Sequence, residues 1–280
     1  MQRITYQEFV PRLLGLDLVG RFDLGPRQVG YSSHYDEACS ASVLNEFAAA
    51  AFRMGHSLIR NAFPLLNKQF KPIGKAFQLR KAFFNSQRIL AEPGLIDAIL
   101  RGVASTPVES LDNAITEELT NHLFERPKEP HSGMDLISLN IQRARDHGIA
   151  GYNSYRAKCN LTRAKSFEEL QGEIPRALVK RLASLYASVD DIDLFTGGMS
   201  ELPVHGGIIG PTLGCIIGLQ FARLKRCDRF WHETGDPWIR FTPPQLAEIR
   251  KMSLAKVICQ ESDGIDVIQR QAMDVPDHYL

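Results

Sequence analysis

Leu139-Asn140-Ile141-Gln142-Arg143-Ala144-Arg145-Asp146-His147-Gly148 is the stretch on which the fold of this chain turns. Asp135, just upstream, is placed to cap a helix, and Gly148 is placed to end one, so the spacing predicts a helix over residues 136–146. Asn140 and Arg143 are i, i+3 neighbours and face the same way. Arg145, Asp146 and His147 crowd the last turn. On spacing alone this is a solvated polar face carrying an ion pair, which is worth little.

A second stretch lies upstream, Phe52-Arg53-Met54-Gly55-His56-Ser57-Leu58-Ile59-Arg60. Apolar periodicity runs over residues 44–66 and predicts a long helix. On it Phe52, Ile59 and Phe63 place His56 on an apolar stripe. Gly55 lets something bulky approach, and Arg53 lies three residues before His56 on the same side. Read from its neighbours only, His56 is a core histidine satisfied by a backbone carbonyl. Residue chemistry suggests more. Haem needs a neutral imidazole as axial ligand. The second ring nitrogen then needs an acceptor that fixes its tautomer. The haem propionates need cations, and an arginine fork matches a carboxylate. His56, Asn140, Arg143 and Arg53 supply those parts, although periodicity does not show that they meet.

Further out, the chain reads as mainly helical. Hydrophobic residues at 44% and charged residues at 23% suit an ordinary globular protein with a sizeable core. A net charge of +1 gives no electrostatic footprint for nucleic acid or an anionic membrane. Periodic stretches at 111–124, 176–187 and 211–224 predict further helices. Capping boxes are read at Thr5 to Glu8, with Gly15 as a stop, at Ser166 to Glu169, ended by Gly172, and at Thr242 to Gln245, with Pro243 in the first turn. Residues 22–35, 105–110 and 125–133 read as loops or connectors. The apolar stretch 206–222 is broken by Pro211 and several glycines. It is read as a buried helix, not a membrane span, with Gly210, Gly214 and Gly218 admitting close neighbours. The first residues hold no apolar run, so no signal peptide is read there. The scattered Cys39, Cys159, Cys215, Cys227 and Cys259 form no zinc pattern.

The first stretch closely resembles the signature of the animal haem peroxidases, and Ala51 to Ile59 resembles that family's proximal-histidine helix. Phe195 to Glu201, Gly210 to Phe221 and Asp228 to Glu233 resemble later family blocks, in order. The resemblance implies a mainly α, haem-peroxidase-like helical domain with little β structure. It implies that His56 is the proximal ligand of a haem b iron, that Asn140 accepts its ring N–H, and that Arg143 and Arg53 hold propionates. Asp146 and His147 are given a structural role. The resemblance also implies a Cys159–Cys215 disulfide, and for Cys259 a partner that would lie beyond Leu280. Cys39 and Cys227 match no family cysteine, and their pairing is left open.

The family's distal histidine, in a His-Asp motif beside a calcium loop, and its distal arginine belong upstream of what matches Met1. His34, His122, His131, His205, His232 and His278 lie in no such motif. Residues 1–280 are therefore expected to be a partial domain, the proximal half, with no catalytic residue and no calcium site of its own. Three functions follow. The first is a haem-dependent peroxidase, reducing hydrogen peroxide at the expense of a small donor, but truncated and weak or inactive. The second is a non-catalytic haem-binding remnant. The third is a haem-free helical interaction module. The expected partners are haem, hydrogen peroxide and a donor if active, and the missing distal half, with no nucleic acid and no membrane span. By family analogy the location is extracellular.

Overall fold

The computed structural model describes residues 1–126 and 128–276, without the side chain of Arg88; Pro127, in the expected connector 125–133, and His278 lie outside the described residues. The helices in chain order are α1 (Gln2–Ile4), α2 (Val10–Arg21), α3 (Asn45–Ala49), α4 (Ser86–Ala91), α5 (Leu95–Ser105), α6 (Glu117–Thr120) and α7 (Leu136–Asp146). They continue as α8 (Tyr152–Lys158), α9 (Arg176–Leu185), α10 (Leu194–Ser200), α11 (Pro211–Cys227), α12 (Pro243–Arg250) and α13 (Leu254–Glu261). Sheet among the described residues is one antiparallel pair of two-residue strands, β1 (Ala62–Phe63) and β2 (Phe77–Gln78). The expected mainly α architecture is the observed one.

The chain forms two compact units interleaved in sequence. The first holds Met1–Gly55, Leu111–Asn113 and Ser138–Lys251. Its apolar centre gathers Tyr152, Leu170, Ile174, Val179, Leu182 and Ile192, all nearly inaccessible to solvent. The α11 helix starts with Pro211 in its first turn and is buried along most of its length. Its glycines do what their spacing suggests. A β-carbon on Gly210 would meet the Glu201 side chain, one on Gly214 would meet Leu18, and one on Gly218 would lie 2.3 Å from the Phe22 ring. Gly218→Ala is therefore expected to lower stability by about 1–3 kcal/mol through overpacking. A shifted urea midpoint with an unchanged denaturant slope checks it.

Two disulfides tie this unit. Cys159–Cys215 joins the end of α8 to α11, as the family resemblance implies. Cys39–Cys227 joins a loop to the end of α11, resolving the pair left open. The same loop is held by Arg226 Nη2, which donates to Asp36 at 2.6 Å. Cys259, in the second unit, is a free, half-buried thiol.

Two clusters of buried polar groups stand out in the first unit. In one, Glu201 accepts from the Tyr152 hydroxyl at 2.7 Å, from the Thr212 backbone N–H at 2.8 Å and from the Thr212 hydroxyl at 2.5 Å. Arg156, itself buried, donates to Tyr152 at 3.2 Å and pairs with Glu173. The other cluster contains the buried pair His232 and Glu233. Burial above all, with help from the Arg3, Arg250 and N-terminal cations and against the pull of Glu233, lowers the His232 pKa from 6.5 to about 4. The unfolded chain thus binds this proton more readily than the folded one. Stability from this group is complete above pH 6.5 and is lost as pH falls from 6.5 towards 4. Urea midpoints compared across that range for the parent and His232→Phe isolate the effect, and the variant is expected to show the shallower decline.

The second unit holds His56–Ser110, Ala114–Ile137 and Met252–Leu280. Its α5 packs on β1 so tightly that a β-carbon on Gly102 would collide with the Pro64 carbonyl oxygen. Arg101, buried on α5, donates to the carbonyls of Leu66 at 3.2 Å and Gly264 at 2.7 Å. Glu118 accepts from the Arg80 backbone at 2.6 Å and from its guanidinium at 2.7 Å.

Several expectations need correction. The helix expected over 44–66 is α3, a break at Ala50 (φ −137°), and then a 3-10 helix over Ala51–Leu58. The side chain of Arg53 explains the break, since its Nε donates at 3.1 Å to the Ala48 carbonyl, one of the last-turn acceptors that α3 leaves open. The helix expected over 111–124 shrinks to α6, because Asn113 is drawn away to donate to Ser200 at 2.9 Å. Thr5 is no N-cap. Helix starts before it at Gln2, the Thr5 N–H donates to the Met1 carbonyl, and a π-helical turn spans Thr5–Phe9 ahead of Pro11. Gly15 kinks α2 without ending it, at φ +74° and tight against the His205 carbonyl. The Ser166 box gives only the 3-10 turn Glu168–Leu170. The Thr242 box forms in full.

Candidate functional site

The α7 helix matches its predicted bounds. The Ile137 N–H donates to Asp135 Oδ1 at 2.9 Å at its start, and Gly148 adopts φ +65° just past its end. Asn140 and Ala144 point inward, with Asn140 wholly inaccessible, while Arg143, Arg145 and Asp146 face outward. Arg145 spends its fork on Asp193, at 2.8 and 2.7 Å. Its partner lies 48 residues on, beyond what the spacing of the helix suggests, and the pair secures α7 with both oxygens of one carboxylate.

Two contacts clamp α7 to the segment that carries Arg53. His147 Nδ1 lies 2.9 Å from Asn45 Oδ1, and Asn45 Nδ2 donates to the His147 carbonyl at 3.1 Å. Arg53 Nη1 donates to Asn140 Oδ1 at 3.0 Å. His147 thus has the structural place expected of it.

Of the four residues singled out, the first unit brings Arg53, Asn140 and Arg143 together. Arg53 feels the Arg143 charge: burial first, and that neighbouring cation second, lower its pKa. Two guanidinium groups held near one another repel, and an anion of two carboxylate groups would relieve that repulsion. His56 is the first residue of the second unit, half-buried, on the same 3-10 helix. In a 3-10 helix residues i and i+3 eclipse, so Arg53 and His56 share one edge. The expected apolar stripe is split as a result. Phe52 turns to Phe47, with ring centroids 4.5 Å apart, and to Phe221, at 5.9 Å. A β-carbon on Gly55 would meet nothing within 4 Å, so the space beside His56 on this helix is open on that side. Downstream, buried Ser57 donates to the Ser110 carbonyl at 2.9 Å and Arg60 to the Pro107 carbonyl at 2.9 Å, anchoring the exit from the helix. By residue chemistry, the cationic pair and the buried amide oxygen of the first unit, and the imidazole that begins the second, are donor types that a haem requires.

The second unit also carries a groove lined by Arg80, Phe83, Phe84, His122 and Phe124. The Phe84 and Phe124 rings meet at a tilt with centroids 4.8 Å apart, and both residues hold positive φ, which is unusual for bulky residues. Helical periodicity does not announce it; the signal was the Phe83-Phe84 pair, followed by exposure of Phe84.

The fold is that of a mainly helical class of protein, with a buried amide and two neighbouring arginines in its first unit. Within it, the profile of the family Animal haem peroxidase matches residues 1–273, and the chain belongs to that family. Among its relatives, Peroxidasin homolog of Homo sapiens is 39% identical over 98% of this chain and 18% of its own length. Peroxidase skpo-1 of Caenorhabditis elegans is 38% identical over 98% of this chain and 39% of its own. Among solved structures, Peroxidase A from Dictyostelium discoideum superposes with a TM-score of 0.79 at 30% identity, over 97% of this chain and 48% of that one. A fatty acid alpha-dioxygenase of Arabidopsis thaliana shares the fold, at a TM-score of 0.70 and 17% identity. The chain therefore spans about half of the matched solved structures and less than half of the curated relatives. No described helix is long and apolar enough to cross a membrane.

Proposed function

We propose that this chain supplies the proximal wall of a haem peroxidase site, with His56 as the axial ligand of a haem b iron. The observation that carries the proposal is the Arg53–Asn140 bond, with Arg143 alongside, on the helix edge that Arg53 shares with His56. Asn140 Oδ1 orients the imidazole by accepting its ring N–H. A carbonyl oxygen has two lone pairs, so accepting from Arg53 does not exclude a second donor. Arg53 and Arg143 hold the propionates. The bound haem would supply the redox chemistry of hydrogen peroxide reduction, coupled to oxidation of a small donor.

These residues bind and orient, and none of them is placed to move a proton between peroxide oxygens. Such acid–base help contributes about 100- to 10,000-fold. Taken alone, residues 1–280 are thus a partial domain with weak turnover or none, and fast turnover needs a distal half. Kinship with peroxidasin and chorion peroxidase supports an extracellular setting. The competing readings are a haem-binding remnant without turnover and a haem-free module.

Absorbance titration with haem separates them. A Soret band that grows to saturation in the parent and in His147→Ala, and is lost in His56→Ala, is the expected result. Equal bands in both variants would remove His56 from its role, and no band in any folded form would favour the haem-free module.

A further inference from the structure

Seven aromatic residues of the first unit form one continuous array. Phe52, next to Arg53 in the 3-10 helix, stacks on Phe47 at 4.5 Å, and Phe9 approaches it edge-on at 6.3 Å. Phe47 and Phe52 both lie within about 6 Å of Phe221, at 6.1 and 5.9 Å. Phe221 meets Tyr6 at 5.5 Å, Tyr6 meets Trp231 at 4.7 Å, and Trp231 meets the His232 ring at 4.5 Å. Core packing accounts for such contacts by itself, since each edge-to-face pair stabilises by about 0.5–1.5 kcal/mol. Packing does not account for the far end. There the indole N–H of Trp231, a residue only 4% exposed, donates at 3.2 Å to Oε2 of a glutamate with no exposed surface. A backbone carbonyl would satisfy an indole N–H at far lower cost than a buried carboxyl group. Oε1 of the same Glu233 has no hydrogen-bond partner among the described residues, with Arg250 Nη2 at 3.6 Å and His232 Nε2 at 4.0 Å.

We propose that Trp231 is an internal one-electron donor, reached from the Arg53 edge through Phe52, Phe221 and Tyr6, with Glu233 as its proton acceptor. The step balances as follows. Trp231 gives one electron to a one-electron oxidant, which is reduced by one. The Nε1–H bond breaks and its proton forms an O–H bond on Glu233 Oε2, leaving a neutral indolyl radical beside a neutral carboxylic acid. Tyr6 is a relay rather than the terminus. Its hydroxyl donates at 2.7 Å to the Phe221 carbonyl, a very weak base, and burial pushes its pKa up. With haem bound, its reaction with peroxide would supply the oxidant, and to that extent the proposal rests on the haem assignment above. Its consequence is a redox site, sealed from solvent, at which oxidising equivalents are stored on the protein.

The test avoids haem first. A ruthenium polypyridyl is attached through Ala48→Cys, at an exposed position next to Phe47, in a Cys259→Ser, Trp238→Phe background that leaves Trp231 as the only tryptophan. Flash-quench generation of the ruthenium(III) oxidant is expected to produce the transient absorption of a neutral indolyl radical. Trp231→Phe should lose it, Glu233→Gln should slow it by roughly 100-fold, the lower end of what a positioned proton acceptor contributes, and Phe221→Leu should reduce its yield. Circular dichroism checks folding of each variant. An unchanged signal in Trp231→Phe, or an unchanged rate in folded Glu233→Gln, overturns the proposal. A second arm mixes haem-loaded Trp238→Phe protein, carrying ring-deuterated tryptophan, with peroxide and records the electron paramagnetic resonance of the radical. Haem bound through His56 but no tryptophan radical overturns the proposal and leaves the haem assignment standing. Failure to bind haem, with the photochemical radical present, overturns the assignment and leaves the electron path standing.

Discussion

Glu201→Leu is expected to lower stability by about 3–5 kcal/mol, because it leaves three donors without their acceptor. The carboxyl group has no exposed surface, and it accepts from the Tyr152 hydroxyl and from both the N–H and the hydroxyl of Thr212. Those donors sit where α8, α10 and α11 meet. Arg156 keeps Glu173 and the Thr162 carbonyl, so the loss stays within that range and does not exceed it. Glu201→Gln gives the contrast. Burial, more than any neighbour, raises the Glu201 pKa, and a neutral side chain of the same shape keeps one acceptor oxygen for the two hydroxyl donors while losing the acceptor for the Thr212 N–H. Its expected cost is about 1 kcal/mol. Set against the 5–15 kcal/mol by which domains are typically stable, only the leucine variant removes a large share. Thermal or urea unfolding of the two variants checks this, and equal midpoints would refute the role given to the cluster.

The double variant Arg53→Ala, Arg143→Ala is expected to bind haem about 100-fold more weakly than the parent. A hydrogen bond to a charged partner contributes about 1.5–3 kcal/mol. Arg143 is exposed and screened by water, which places its share at the lower end. Arg53 is half-buried and also holds Asn140 and the Ala48 carbonyl, so its loss loosens the amide that orients the imidazole. Salt separates charge from packing. Parent affinity should fall as ionic strength rises, and affinity of the double variant should respond much less. Titrations at low and high salt measure both. Equal affinities, or equal salt responses, would mean that the propionates are held elsewhere.

Much of this was legible in the sequence, and the exceptions share a cause. The α7 and α11 helices carry their stop and start signals locally, in Asp135, Gly148 and Pro211, α9 follows its periodicity, and the bounds of all three came out close to expectation. So did the glycine row on α11, because glycine every four residues along a buried helix leaves one face bare. The apolar spacing around His56 suits an α-helix, whereas a side-chain contact to a carbonyl five residues back decides the form of the segment. The Arg53 side chain takes a carbonyl at the end of α3, and a 3-10 turn follows. The Arg53–Asn140 bond spans 87 residues, which no local pattern reports. Cys39–Cys227 was equally hidden, since its 188-residue separation carries no motif. The Trp231–Glu233 bond lies only two residues apart in sequence, and it too went unread. An i, i+2 pair suggests no contact in a helix, and here the chain is a turn.

Resonance Raman spectroscopy of the ferrous haem complex bears most directly on the central assignment, because it reads the iron–imidazole bond itself. The predicted result is an iron–histidine stretching band in the parent and in His147→Ala, absent from His56→Ala and restored there by added imidazole. Persistence of the band in His56→Ala without added imidazole would show that another residue holds the iron.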